Sequence, residues 1–355
     1  MRYFTQEVQT DGKIQRTAGV KARDDVDSIL LTDGWKAIQV TETQKRSGSS
    51  ITEHISGHVN AYKSWNENLG SLQKDDVLLV QFPILSHSVF LWNTFRKLKK
   101  RGVYIILLIH DLEILRKAVS DNVTLRAKMR LNAEEKSILK LADKIIAHNT
   151  EMIKVLSKMG ISKERLVNLK IFDYLMSDFS VNENLAVDKP VIIAGNLSKN
   201  KAEYVYRLPD SCRFNLYGVG YEGEEKENIT YHGSFPPDEL PAALSGSFGL
   251  IWDGNSSETC SGAYGAYLRI NNPHKTSLYL SCGIPVVIWK EAALAKFVEK
   301  HQCGILIDSL DTCNDVISSI THEQYRQMCR NAEEVSKHLR NGDYIRSAVK
   351  KCISK

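Results

Sequence analysis

At 355 residues, 43% hydrophobic and 25% charged, the chain is long enough for two ordinary domains with sizeable cores, and its composition excludes a disordered or collagen-like polypeptide. The net charge of +5 is uneven: residues 1–180 carry 28 Lys+Arg against 21 Asp+Glu, and the remainder carries 19 against 21. Seven scattered cysteines with no C-x-x-C pair argue against a disulfide framework and a zinc site, and fit a reducing compartment.

The opening MRYFTQEVQT lacks the apolar run of a signal peptide, and no later stretch reaches the roughly 18 apolar residues of a membrane helix. A cytoplasmic protein is therefore expected. VLLVQF (77–82), VYIILLIH (103–110) and KIIAHN (144–149) read as buried parallel strands, with helix-like segments at 88–101 and through EMIKVLSKMG. Basic residues gather at Arg96, Lys97, Lys99, Lys100 and Arg101, and again at Arg116, Lys117, Arg126, Lys128 and Arg130. They read either as two solvated helix faces or as a surface for an anionic partner, such as a membrane or a lipid-linked pyrophosphate. No interleaved aromatics accompany them, so nucleic acid is not expected.

A polar linker at 180–190 precedes a second alternating series: VIIAGN (191–196), RFNLYG (213–218), ITYHG (229–233), FGLIWD (248–253), IPVVIW (284–289) and an edge strand GILID (304–308). The tail, 321–355, has a long polar helical pattern. The expected fold is α/β, with two Rossmann-like doubly wound domains facing a cleft. The expected divisions are 1–180, 181–335 and a terminal helix in 336–355 that returns to the first domain. Ligands of such sheets bind at the carboxyl ends of the strands.

The loops at those ends carry the chemistry. Gly195-Asn196, followed by Ser198, Lys199 and Lys201, permits close approach of a phosphate, although alone it reads first as a simple turn. Gly218, Gly220 and Gly223 form a literal G-x-G-x-x-G, but a charged run and another strand follow, with no helix to seat a pyrophosphate. His232-Gly233 ends a strand, and Asp253 ends another before a Gly/Ser-rich loop, 254–266, long enough to close on a ligand. In NNPHKTSLYLSCGIPVVIW, Pro273 opens a helix that Cys282-Gly283 stops. Its free N–H groups, its positive dipole end and Lys275 converge where a diphosphate would sit. A lysine opposes the dipole at that end, and an adjacent anion would account for it; a solvated first-turn lysine is the plainer alternative.

Taken together, strand-Gly-Asn, LYGVG, YHGSFPPDELP, FGLIWD and NPHKTSLYLSCGIPVV resemble the nucleotide-sugar half of a GT-B glycosyltransferase. GKIQRTAGVKARDDVDSILLTDGWKAI (12–38) and LLIHD (107–111) extend the resemblance into the first domain. The pattern is similar to bacterial galactofuranosyltransferases and to the glucosyltransferases that extend glycans on serine-rich adhesins. This implies a UDP-sugar donor in the second domain and a glycan acceptor, on a lipid carrier or a protein, held mainly by the first. It further implies that Lys275, Asn272, His274 and Thr276 grip the diphosphate, that Asn196, Lys199, Gly218 and His232 line the uridine and phosphate loops beside Asp253, and that Thr17 reaches across. No cofactor and no metal are expected.

Where many retaining enzymes of this fold carry a Glu-x7-Glu pair, this chain has Ile270 and Leu278; Glu291 and Glu299 have the spacing but follow the strand. Inversion is therefore expected, and it needs a general base for the acceptor hydroxyl. Asp111 is the candidate, with His110 orienting it or touching the donor sugar; the alternative is that Asp111 merely caps the helix that follows. A sugar-nucleotide epimerase of the same fold, or a catalytically silent partner of an active transferase, are the competing functions. The sequence leaves open the choice of UDP-sugar, the linkage and whether the chain forms a homo-oligomer.

Overall fold

The computed structural model describes residues 1–9, 18–42, 51–85, 91–112, 114–115, 135–176, 185–224 and 226–354. The first domain contains β1 (Arg2–Gln9), β2 (Lys36–Glu42), β3 (Val77–Phe82), β4 (Tyr104–Ile109), β5 (Lys144–Ala147) and β6 (Leu166–Asn168). The second contains β7 (Val191–Asn196), β8 (Phe214–Val219), β9 (Ile229–Tyr231), β10 (Gly249–Ile251), β11 (Val286–Trp289) and β12 (Gly304–Ile307). All the strand pairings within the two sheets are parallel, and the strand orders are β2-β1-β3-β4-β5-β6 and β12-β11-β10-β7-β8-β9. The two Rossmann-like α/β domains expected from the alternating pattern are present.

Each order reverses once, between β1 and β3 in the first sheet and between β7 and β10 in the second. Such switch points open a crevice beyond the strand ends, because the adjoining crossovers leave toward opposite faces. β1, β2 and β6 are strands the apolar-run criterion passes over. β1 reads RYFTQEVQ and β2 reads KAIQVTE, so polar residues interrupt both.

The polar tail is two helices. The first, His322–Asn341, buries Tyr325, Ala332, Val335 and Leu339 in the second domain's core. At Gly342, φ is +75°, and a Cβ there would lie 2.7 Å from Ile29 Cγ1, so both backbone and space call for glycine. The second helix, Asp343–Ile353, then packs Ile345, Ala348, Val349 and Cys352 against Phe4, Val26 and Ile29 of the first domain. Asp173 accepts from the N–H groups of Tyr344 (3.2 Å) and Ile345 (2.6 Å), seating the start of that helix. Among the described residues no helix is long and apolar enough to cross a membrane.

Candidate active site

In a parallel strand, alternate side chains share a face. On one face of the first sheet, Phe4, Leu79, Ile106 and Leu108 are buried core. One step further toward the carboxyl ends, the same face presents Gln6, Gln81 and His110. His110 Nε2 lies 2.6 Å from Gln81 Oε1, and its ring stacks on Phe172 with centroids 5.2 Å apart and planes at 11°. Burial, with Arg23, His148 and His274 nearby, pushes the His110 imidazole well below its ordinary value, so the ring is neutral. Asp111 Oδ1 accepts from the N–H of the next residue, Leu112, at 2.8 Å, a local bond that is not the cap contact to a second or third helical residue. The same N–H reaches Tyr267 Oη of the second domain at 3.1 Å, so Asp111 stands where the two domains meet.

The second sheet's ends are built differently. At Gly218, φ is +152°, and a Cβ would meet Gly195 O at 1.7 Å; the backbones of β7 and β8 are too close for any side chain. Asn196 Oδ1 accepts from the N–H (3.0 Å) and Oγ (2.6 Å) of Ser198, closing a tight local turn. Lys199 and His232 are exposed, the latter with its ring stacked on Tyr217 at 4.6 Å. Between β8 and β9 the described residues form no helix, as the reading of the glycine motif required.

The His274–Ser281 helix follows Pro273, which sits at the N-cap with φ −66° and ψ 128°. Lys275 Nζ donates to Trp252 O (2.6 Å) and to Asp253 Oδ1 (3.0 Å). The anion that accounts for a lysine at the positive end of this helix is thus present in the protein itself, and it is the Asp253 carboxylate. The dipole argument alone therefore does not call for a diphosphate. Thr276 is fully buried, and its Oγ1 has no hydrogen-bond partner.

His274 turns toward the first domain, packing against Tyr174 (5.1 Å) and Phe172 (6.2 Å); desolvation pushes its imidazole down to about 4. Asn272 does the same. Its Nδ2 donates to His148 O (2.7 Å) and Lys170 O (3.1 Å), its Oδ1 accepts from Asn149 Nδ2 (2.8 Å), and its backbone N–H donates to His148 Nδ1 (2.9 Å). Ser277 Oγ adds a bond to Phe172 O at 2.7 Å. Both side-chain donors of Asn272 are spent on joining the domains, which leaves neither for a phosphate oxygen. The stretch that reads as a mouth for a diphosphate is in part an interdomain clasp.

The Gly/Ser-rich loop is tied down. Residues Gly262–Tyr267 are helical, Trp252 Nε1 donates to Ser256 O (2.9 Å), and the N–H of Leu310 donates to Ser257 O (2.8 Å). Thr17 lies outside the described residues, as do Arg116, Lys117, Arg126, Lys128 and Arg130. In the other basic group, Lys97 bonds Tyr62 Oη (2.9 Å), Lys99 pairs with Asp143 (2.5 Å) and Arg101 bonds Gly70 O (2.7 Å). Three of these five cations thus serve the fold of their own domain. Glu291 pairs with Arg269 at 2.6 Å. Among the described residues, no group of three or more His, Cys, Asp or Glu side chains is placed to hold a metal ion.

Sequence reasoning passed over Gln81, Asp27, His148, Asn149 and Tyr267. For Gln81 a signal existed, since it is the one polar residue in an otherwise apolar strand. For Tyr267 and Asn149 there was none, because their partners lie 155 and 123 residues away.

Residues 2–171 match the N-terminal domain of the glucosyltransferase 3-like family, and residues 191–352 match its C-terminal domain. The chain is 37% identical over 346 residues to the β-1,6-galactofuranosyltransferase WbbI of Escherichia coli (strain K12), covering 96% of this chain and 95% of that protein. Among solved structures, WaaG, a glycosyltransferase involved in lipopolysaccharide biosynthesis, superposes with a TM-score of 0.62 at 13% identity, covering 100% of each chain. Anabaena Alr3699/HepE in complex with UDP and glucose gives 0.55 at 13% identity, covering 98% of this chain and 99% of that one. The chain belongs to the glucosyltransferase 3-like family of GT-B glycosyltransferases, and it is an enzyme of the hexosyltransferase class.

Proposed function

We propose that this GT-B hexosyltransferase moves galactofuranose or glucose from a UDP-sugar to a hydroxyl of a bacterial glycan, on a lipid carrier or a protein, with inversion and without a bound metal. The observation that carries the reading is the meeting of two strand-end groups: His110-Asp111 beyond β4, and the Tyr267–Ser277 stretch beyond β10, joined through Leu112 and Tyr267. Uridine and diphosphate lie along the second domain's glycine-built ends, at Gly195-Asn196, Gly218 and His232. There backbone approaches backbone closely, as a phosphate also must. Lys275 exchanges its Asp253 carboxylate for a phosphate oxygen, and the first-turn N–H groups beside it help to neutralise the leaving UDP. The Alr3699/HepE complex, with UDP and glucose in the same fold, supports a donor of this kind.

Asp111 takes the proton of the acceptor hydroxyl as its oxygen attacks the anomeric carbon, and the bond to UDP breaks on the opposite side. Ile270 packs against the first domain's core and Leu278 is buried, so neither Glu-x7-Glu position offers a carboxylate. Cytoplasmic action, with peripheral contact at the membrane that would carry a lipid-linked acceptor, belongs to the same reading.

The test is a panel of UDP-sugars, including UDP-galactofuranose and UDP-glucose, with a glycan acceptor, read by UDP release and by the anomeric coupling of the product. Acceptor-dependent release with inverted configuration is expected, and it should persist in excess chelator. Release from no UDP-sugar, or conversion of the sugar without transfer, removes the assignment.

A further inference from the structure

Beneath His110 lies a buried polar network of Gln81, Asp27 and Gln6. Gln81 is 4% exposed and Asp27, on the Ala18–Thr32 helix, is 7% exposed. An amide placed there costs free energy unless its donors and acceptor are all satisfied; a leucine or methionine would fill the space without that demand. Gln81 meets the demand in one orientation. Its Nε2 donates to Asp27 Oδ1 at 2.6 Å and lies 3.3 Å from the carbonyl oxygen of Arg23. Gln6 Nε2 donates to the second carboxylate oxygen, Asp27 Oδ2, at 3.1 Å.

Two acceptors on one side of the Gln81 amide turn its Oε1 toward His110 Nε2, 2.6 Å away. A carbonyl oxygen only accepts, so Nε2 must carry the hydrogen, and Nδ1 keeps its lone pair. The stacking of the ring on Phe172 at 11° also holds the plane of the ring.

We propose that Gln81, oriented by Asp27, is a positioning residue that fixes His110 in the Nε2–H tautomer and so presents Nδ1 as the acceptor for a substrate hydroxyl. This rests on placing transfer at the His110-Asp111 end of β4. Burial pushes the Asp27 carboxyl up to about 7, with the Gln6 and Gln81 amides opposing the rise, so the network is best observed at pH 8, where the carboxylate prevails.

The test uses the full chain labelled with 15N-histidine, with the His110 resonances assigned by their loss in His110→Gln. Wild type should show a protonated Nε2 and an unprotonated Nδ1. Asp27→Asn is close in shape and replaces one carboxylate oxygen with an NH2 group. Gln81 then loses its charged acceptor and is held by Arg23 O alone, so the ring moves from a single Nε2–H tautomer toward a mixture of the two. The transfer kcat should fall roughly 10- to 100-fold, as expected for a misdirected catalytic contact, while UDP affinity by calorimetry stays within twofold. Gln81→Leu should broaden the ring between tautomers with a similar loss of kcat.

An Nδ1–H or mixed ring in wild type overturns the inference, and that spectrum needs neither a folded variant nor a known substrate. An unchanged ring in Asp27→Asn overturns it as well. A mixed tautomer with unchanged kcat removes His110 from the reaction. If no UDP-sugar is turned over, the proposed function fails while the spectrum still decides the tautomer.

Discussion

The carboxyl ends of the two sheets handle polarity in opposite ways. In the first domain the polar groups are buried and bonded to one another across separate elements: Asp27 on a helix, Gln81 on β3, His110 beyond β4. In the second domain, the ends of β7, β8 and β9 are glycines and exposed side chains that bond a near neighbour or backbone, as Asn196 bonds Ser198 and Tyr231 Oη bonds Gly218 O. The contrast matches the two halves of a transfer reaction. A proton acceptor must be held in one orientation before the substrate arrives, so its surroundings are rigid. A nucleotide is gripped through charge and through close backbone approach, which asks for space and φ > 0 more than for buried partners.

Three substitutions separate these roles, because each should move one observable and spare the others. The largest effect is expected from Asp111→Asn, which retains the oxygen that accepts from Leu112 and so preserves that local bond. Acceptor-dependent transfer should fall about 10²- to 10⁴-fold, while UDP affinity by calorimetry is unchanged. Wild-type turnover in this variant would remove Asp111 as the base.

Lys275→Ala comes next. The ammonium is replaced by nothing, and Asp253 is left without its partner beside the proposed phosphate position. Loss of a charge-assisted contact, about 1.5–3 kcal/mol, predicts UDP binding weaker by roughly 10- to 100-fold. The double variant Lys275→Ala/Asp253→Asn should recover part of that loss, since a repulsive carboxylate is removed. UDP affinity equal to wild type in the single variant would restrict Lys275 to its ion pair with Asp253.

The smallest effect on chemistry is expected from Asn272→Ala, which takes the Asn272 amide from His148 O and Lys170 O and leaves Asn149 Nδ2 with Ile270 O alone at the domain boundary. Stability should drop by about 1–3 kcal/mol, measured as a lower urea midpoint, with UDP binding altered far less than in Lys275→Ala. A UDP affinity as weak as that of Lys275→Ala, at unchanged stability, would return Asn272 to the nucleotide site.

Local pattern was enough for the architecture. Apolar runs such as VLLVQF, polar only at Gln81, and YIILLI have the length and β-branched content of strands buried on both faces, and their alternation with helices points to parallel sheets. The Pro273 start and Gly283 stop of the helix that carries Lys275 were legible for the same reason, because caps depend on neighbours in the chain. β1 and β2 were not legible: their polar positions look like loop until the pairing partners are known.

What the sequence by itself determined is therefore the chemistry on offer: two Rossmann-like domains, glycine-built loops, a lysine at a helix start, and a His-Asp pair ending a central strand. What only the tertiary structure decided is how those groups are spent. Asn272 and His274 sit on the same turn as Lys275, yet they face the first domain, while Lys275 reaches back to Asp253. Residue type fixes which hydrogen bonds a side chain can make. Which of them it does make depends on partners a hundred or more residues distant, brought within 3 Å only when the two sheets come together.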